Sequence, residues 1–276
     1  MSESARPTTP SRTGITERLK NLIRRPTVDC GTTHERIGIR PVANEIEAQE
    51  VWLLLAEQIA HPANRPRPQV IRYDDGTLRP TLIGAWSKNG LIGAAFVEPD
   101  EIAAQDFARF GDHDAAQIIR SHVAILEGIA VIPERRREGV GLKIKLFCDA
   151  WAAQHHAKVI LGIPTNMAAR RLNEKAGHTV LEANVGLVMQ ITDKYNTPIS
   201  HPVAMCRTQD DGFSAWAWRI LSKTTGAAIH IGEYGPIPVK GGADEQSGQV
   251  RWLDSTGATG LDVLRGIICR LIHSLV

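Results

Sequence analysis

Cysteine is scarce and scattered. Cys30, Cys148, Cys206 and Cys269 lie far apart and form no C-x-x-C pair, so neither a disulfide framework nor a zinc site is indicated and a reducing compartment fits best. Long apolar runs are missing too. Nothing approaches the roughly 18–20 residues that span a bilayer, and the N-terminus lacks the apolar centre of a secretion signal, so a cytoplasmic protein without a membrane partner is expected. Charge of one sign is absent: 32 Lys and Arg against 30 Asp and Glu give a formal net charge of +2. That balance offers no general argument for nucleic acid or an anionic surface, and any basic site has to be local. Finally, neither G-x-x-x-x-G-K-[ST] nor G-x-G-x-x-G occurs, which removes the nucleotide fingerprints that those patterns carry.

What is present suits a folded domain. Hydrophobic residues make up 43% and charged residues 22% of 276 residues, enough for a sizeable core and for one main domain with added segments. Residues 1–33 read as a flexible basic leader, with Ile15, Leu19, Leu22 and Ile23 as its one periodic piece; Glu3 and Glu17 argue against a transit peptide. A strand is expected over Ile37–Val42 and a helix from Glu45 to Ala60, then a surface loop from His61 to Pro68. Thr81–Trp86 and Leu91–Val97 flank Asn89-Gly90 as a hairpin. Pro99–Arg120 is polar and interrupted by Gly111, a helical or irregular excursion before an apolar central strand, His122–Ile132.

At the end of that strand Pro133-Glu134-Arg135-Arg136-Arg137-Glu138-Gly139-Val140-Gly141 leads into a helix marked by Leu142, Leu146, Phe147, Ala150 and Trp151. Strand, glycine turn and helix together make an anion site: first-turn N–H groups have no partner inside the helix, the dipole is positive there, and glycine lets a phosphate come close. Arg135, Arg136 and Arg137 add charged donors nearby. The spacing Arg136-x-x-Gly139-x-Gly141 resembles the [QR]-x-x-G-x-[GA] signature of the GCN5-related N-acetyltransferase (GNAT) superfamily. Further on, a strand at Lys158–Ile163 precedes a helix that Gly177 stops. There Asn166-x-x-Ala169-x-x-Leu172-Asn173-Glu174-Lys175-Ala176-Gly177-His178 is similar to the family's N-x-x-A-x-x-L-Y-E-K-x-G-F.

The resemblance implies an α/β (α+β) fold: a mixed, mostly antiparallel sheet splayed between its fourth and fifth strands, with helices on both faces. Residues 34–195 would form this domain and 196–276 a C-terminal extension. It implies acetyl-CoA, or another short acyl-CoA, as cosubstrate, with no metal. Pantetheine would pair with Ile129, Ala130 and Val131. The turn Arg136, Arg137, Glu138, Gly139, Val140 and Gly141 would hold the pyrophosphate, and Asn166 and Ala169 would bind the cofactor from the side of the second strand. Two positions depart. Asn173 replaces the family's Tyr, whose hydroxyl protonates the leaving thiolate, and His178 replaces Phe. Asn cannot act as an acid, so water, Cys148 or Tyr195 would have to substitute.

Glu127 is the candidate general base, two residues before Ile129; strict alternation places it on one face with Ile125, Ile129 and Val131. The structural alternative is a Glu127 paired with Arg120. His122 falls on the opposite face, and His155 and His156 read as a solvated helix end. The domain should close with strands near Thr179–Glu182 and Gly186–Ile191. Beyond them the sequence offers a Trp-bearing piece, Phe213–Leu221, short strands near Ala227–Ile231 and Gln249–Leu253, and a terminal helix, Leu261–Leu275. Trp216 and Trp218 could stack on substrate but read by default as core.

The expected function is transfer of an acyl group, acetyl first, to an amine that attacks the thioester directly, with acceptor specificity in His61–Pro68 and Pro99–Arg120. Two alternatives stand beside it: an acyl-CoA-binding sensor or scaffold without turnover, and an enzyme acting on a nucleic-acid-linked amine recruited by the basic leader. The partners are therefore acyl-CoA and an unidentified amine, with nucleic acid disfavoured by the charge balance and a homodimer left open.

Overall fold

The structure, a computed structural model, describes residues 36–59, 66–71, 74–183, 185–195, 197–206, 214–222, 227–235, 250–253 and 268–271. The basic leader, residues 1–33, lies outside them, as does most of the loop His61–Pro68. Strand β1 (Gly38–Pro41) leads into α1 (Glu45–Gln58), whose first turn is capped by the Asn44 side chain accepting from the Glu47 N–H. Arg40 grips the Glu47 carboxylate with two bonds of 2.6 and 2.8 Å, fixing strand to helix. The hairpin forms as expected from β2 (Thr81–Ser87) and β3 (Gly90–Pro99). Pro99–Arg120, expected as a helical or irregular excursion, forms two helices, α2 (Glu101–Arg109) and α3 (His113–His122). They bury Phe107, Ala115, Ala116 and Ile119 in the largest core cluster. Small apolar residues spaced along an otherwise polar surface explain why a polar stretch is structural.

The central strand β4 (Val123–Val131) is followed by a short 3-10 turn, Pro133–Arg135, and helix α4 (Val140–Gln154). Next come β5 (Val159–Gly162), α5 (Met167–Lys175), β6 (Thr179–Val180), β7 (Gly186–Thr192) and β8 (Val203–Cys206). Strands β9 (Ala217–Ile220), β10 (Ala228–Tyr234), β11 (Val250–Trp252) and β12 (Ile268–Leu271) complete the described elements.

The main sheet has the order β1-β2-β3-β4-β5-β9-β6, antiparallel throughout except for the parallel pair β4–β5. α4 covers one face through Val140, Ile144, Cys148 and Trp151. On the other face α1 packs Val51, Trp52 and Leu55 against Ala94, Phe96 and Ala130. This is the mixed, mostly antiparallel sheet with helices on both faces that the resemblance implied.

Its last strands arrive from elsewhere in the chain. Gly186–Ile191 was expected to close the main sheet, yet β7 pairs over its full length with β10 in a second sheet, order β11-β10-β7-β8-β12. The place beside β5 is taken by β9, from the segment expected as an extension, and β6 pairs with β9 rather than with β7. Hairpin partners far apart in sequence outcompeted the local one, because β10 offers β7 seven aligned residues. The second sheet buries Leu187, Met189, Ile191, Val203 and Ile231 in the same cluster as α2, α3 and the main-sheet residues Val123, Ile125 and Leu161. The terminal helix expected over Leu261–Leu275 is contradicted at Ile268–Leu271, which pairs parallel to β8 as β12; the rest of that segment lies outside the described residues. An open strand edge supplies backbone partners that a short helix cannot match. Trp216 and Trp218 are core residues, the former donating its indole N–H to the Met205 carbonyl. Among the described residues no helix is long and apolar enough to cross a membrane.

Candidate functional site

The site is a slot made by a pairing that stops. β4 and β5 run side by side only from Val123↔Val159 to Leu126↔Gly162. Beyond that point Glu127–Val131 have β3 on one flank and, among the described residues, no strand on the other. A strand edge in this state displays N–H and C=O groups to any extended ligand. Ile129, Ala130 and Val131, the residues expected to pair with pantetheine, all lie on it.

At its open end the slot meets the glycine turn. Arg137 and Gly139 both have left-handed backbones, φ 66° and 80°, a conformation that costs a residue with a Cβ far more than it costs glycine. Gly139 is the N-cap of α4, and the first backbone bond of the helix runs from the Lys143 N–H to the Gly139 carbonyl. The N–H groups of Val140, Gly141 and Leu142 therefore have no acceptor inside the helix and sit at its positive end. A Cβ on Gly141 would meet only Val131 and Leu172 side chains, at 3.7–4.0 Å, so its place between β4 and α5 is roomy enough for alanine. The arginines behave differently from expectation. Arg136 turns back to donate to the Val131 carbonyl at 3.1 Å and to Gln58 of α1 at 2.6 Å, while Arg135 pairs with Glu138 at 2.8 Å. Two of the three local cations brace the turn, which leaves Arg137 and the backbone N–H groups to meet an anion.

At the closed end stand Leu126, Glu127, Gly162 and Asn173. The β3 register jumps from Phe96↔Gly128 to Val97↔Leu126, so Glu127 is the extra residue of a β-bulge. The bulge corrects the expected alternation. Ala124, Leu126, Ile129 and Val131 share the α4 face, and Ile125 faces the opposite core. Arg120, the partner weighed for a structural Glu127, instead grips Glu101 with three bonds of 2.9–3.1 Å. Asn166 caps α5, its Oδ1 accepting from the Ala169 N–H at 2.9 Å. Asn173 donates its Nδ2 to the Ala169 carbonyl at 3.0 Å.

The other candidates are not brought to the slot. Cys148 is fully buried and its thiol is pushed up to about 12 by burial, which disqualifies it as a donor near neutral pH. Tyr195 stands exposed in the turn after β7. His122 bonds the His156 carbonyl at 2.9 Å. His155, expected as a solvated helix end, is buried, stacked on Trp151 and bonded to Asp74 at 3.0 Å.

His178, the second departure from the family pattern, belongs to a buried ionic cluster that sequence reasoning missed. The Asp149 carboxylate accepts from His178 at 3.0 Å, from Lys145 at 3.3 Å and from Arg219 of β9 at 3.0 Å. Burial alone would push the Asp149 carboxyl up; the His178 bond and the charges of Lys145 and Arg219 outweigh it and hold the group below the usual carboxylate range. Burial pushes both Lys145 and His178 down. Only the i, i+4 spacing of Lys145 and Asp149 on α4 was visible in sequence; Arg219 arrives from a strand seventy residues on. Among the described residues no three His, Cys, Asp or Glu side chains gather as metal ligands.

Residues 49–178 match the family model described as acetyltransferase (GNAT) family. No curated protein matches the chain in sequence. Solved structures with a similar course include yncA from Salmonella typhimurium with its cofactor acetyl-CoA, at 13% identity and TM-score 0.42, covering 68% of this chain and 96% of that one. The ribosomal-protein-S18-alanine N-acetyltransferase from Escherichia coli is similar at 13% identity and TM-score 0.39, with coverage of 68% and 96%. An acetyltransferase of Bacillus subtilis in complex with CoA is similar at 12% identity and TM-score 0.37, with coverage of 67% and 99%. Likenesses this distant say nothing about substrate.

Proposed function

The chain belongs to the GNAT superfamily through the domain that residues 49–178 match, and from that premise we propose that it transfers an acyl group, acetyl first, from acyl-CoA to an amine by direct attack. The observation that carries this reading is the slot: pairing between β4 and β5 ends at Leu126↔Gly162, and the free edge leads to a helix start whose N–H groups are open. The two ends suit the two ends of an acyl-CoA. Val140, Gly141 and Leu142 would donate backbone N–H groups to the pyrophosphate. The edge Ile129–Val131 would pair with pantetheine, and the thioester would stop where β5 closes the slot.

Each chain group then has a role. Glu127, bulged at the closed end, takes the proton from the attacking amine directly or through water. Backbone N–H groups of β4 at the closed end polarise the carbonyl under attack. Holding amine and thioester together supplies much of the rate, which is why loss of an acidic side chain at position 173 is compatible with turnover. That same asparagine favours a second reading, a fold that binds acyl-CoA without turnover.

Isothermal titration with acetyl-CoA tests the first reading. Micromolar binding is expected for the natural sequence, and at least tenfold weaker binding for Gly139→Val with Gly141→Val, since Gly139 at φ 80° strains any β-branched residue by about 1–3 kcal/mol. No binding by the natural sequence overturns both readings; binding without CoA release toward any amine leaves the sensor.

A further inference from the structure

A cavity of about 200 Å³ lies outside the slot, between the end of β1, residues 68–71, the start of β2 and the last turn of α4. Strands β3 and β4 stand between it and the open flank of the slot, and the length of α4, at about 1.5 Å per residue, separates it from the glycine turn. It has room for a small molecule rather than for one or two waters. Its outer wall is fastened to the domain: Glu45 of α1 accepts from the Arg67 side chain at 2.5 Å and from the Val70 N–H at 3.3 Å. Val42, Val70, Pro80 and Leu82 make part of the lining apolar, and Trp151, stacked on His155, adds an aromatic surface.

Two opposite charges complete the lining. Asp74 accepts from the Gly76 N–H and from His155, both at 3.0 Å, and the other ring nitrogen of His155 bonds the Trp151 carbonyl at 2.7 Å. The Gly76 bond first, then His155 and the charge of Arg79, outweigh burial and hold the Asp74 carboxyl below the usual carboxylate range. Asp74 is therefore an anion near neutral pH. Arg79 donates to Asp75 at 3.2 Å but meets Asp74 only at 3.5 Å, longer than an ordinary hydrogen bond. Each charge keeps capacity for a further partner. Among the described residues Asp74 Oδ2 accepts from His155 alone, at 3.2 Å, and Arg79 commits two of its five N–H groups.

We propose that this cavity binds a free apolar α-amino acid, its ammonium on Asp74, its carboxylate on Arg79 and its side chain against Val42, Val70 and Leu82. A ligand with both charges on one carbon answers a carboxylate and a guanidinium held side by side. An amine without the carboxylate sets its charge against Arg79, and an acid without the ammonium sets its charge against Asp74. The site is separate from the acyl-CoA slot and does not depend on the function proposed for it.

The test is calorimetric titration of the full chain with L-leucine and L-phenylalanine, with and without saturating acetyl-CoA. Submillimolar binding of at least one is expected, unaltered in stoichiometry by acetyl-CoA. The counterparts lacking the ammonium (isocaproate, hydrocinnamate) or the carboxylate (isoamylamine, phenethylamine) should bind about tenfold more weakly or worse, the loss of one charged hydrogen bond. Asp74→Asn and Arg79→Met should each weaken the amino acid by a similar factor while acetyl-CoA binding is kept. Should either variant not fold, the analogues decide on the natural sequence. No saturable binding of either amino acid up to about 10 mM overturns the proposal. So do analogues that bind as tightly as the amino acids, variants that bind them unchanged, and strict competition with acetyl-CoA, which would put the amino acid in the slot. A chain that binds the amino acid but no acetyl-CoA overturns the acyl-CoA reading and leaves this site standing.

Discussion

Two strand-to-helix junctions lie on either side of the slot, and they are finished in opposite ways. At the β5–α5 junction Asn166 closes the helix start with its own side chain, satisfying the Ala169 N–H. At the β4–α4 junction the N-cap is Gly139, which has no side chain to offer, and both it and Arg137 before it are left-handed. A capped start has spent its donor on the protein; an uncapped one keeps its donors for a ligand. The same local architecture therefore satisfies a first-turn donor once and leaves the donors without a side-chain cap once, and the difference is decided by a single side chain; under the acyl-CoA reading the uncapped start is the one that takes the anion.

The largest effect is expected where the two junctions share a support. Asp149 on α4 holds His178, just past α5, along with Lys145 and Arg219. Asp149→Leu strands a buried Lys145 without its counter-ion and should cost about 3–5 kcal/mol, read as a fall in the denaturation midpoint, with both junctions loosened together. A smaller change separates them. Asn166→Ala should lose about 1 kcal/mol of stability, and Asn166→Ser most of that loss should recover, while acetyl-CoA affinity stays within a few-fold of the natural sequence. If instead Asn166→Ala abolishes binding with stability intact, the second junction is a ligand site and the contrast is wrong.

The smallest effect is one of pH. The His178 imidazole is held below its ordinary value, chiefly by burial, so the folded state binds fewer protons than the unfolded chain once the pH falls below about 6.5. Its contribution is present above that pH and is lost as pH drops through the folded value. His178→Phe should flatten the slope of melting temperature between pH 7 and pH 5. An unchanged slope would show that other groups carry the acid response.

How much of this was legible in sequence follows the distance over which each feature is decided. The glycine turn and the hairpin at Asn89-Gly90 are set by a few adjacent residues, and each lies where the sequence pattern put it; Asn166, read there as a cofactor residue, proves to be the cap of α5. Glu127 was found as a candidate, but the residues grouped with it are divided, Ile125 on one face and Ile129 and Val131 on the other, because a bulge is a property of two strands and alternation along one of them cannot reveal it. The ionic cluster was invisible for the same reason: Arg219 meets Asp149 only after β9 has entered the sheet. The apolar stripe of Leu261–Leu275 suited a helix, yet Ile268–Leu271 met an available strand edge. His155 was given to solvent because nothing in its own neighbourhood announces Asp74, eighty-one residues earlier.

The insertion of β9 between β5 and β6 also sets a schedule for biosynthesis. Everything up to Val180 can leave the ribosome while the flank of β5 is still an open edge, since the strand that covers it ends at Ile220. At about 5–20 residues per second the forty residues between represent some seconds of exposure. During that interval Val159, Ile160 and Leu161, an apolar run buried in the finished molecule, have β4 on one flank, while the other flank is open to other nascent chains or a chaperone.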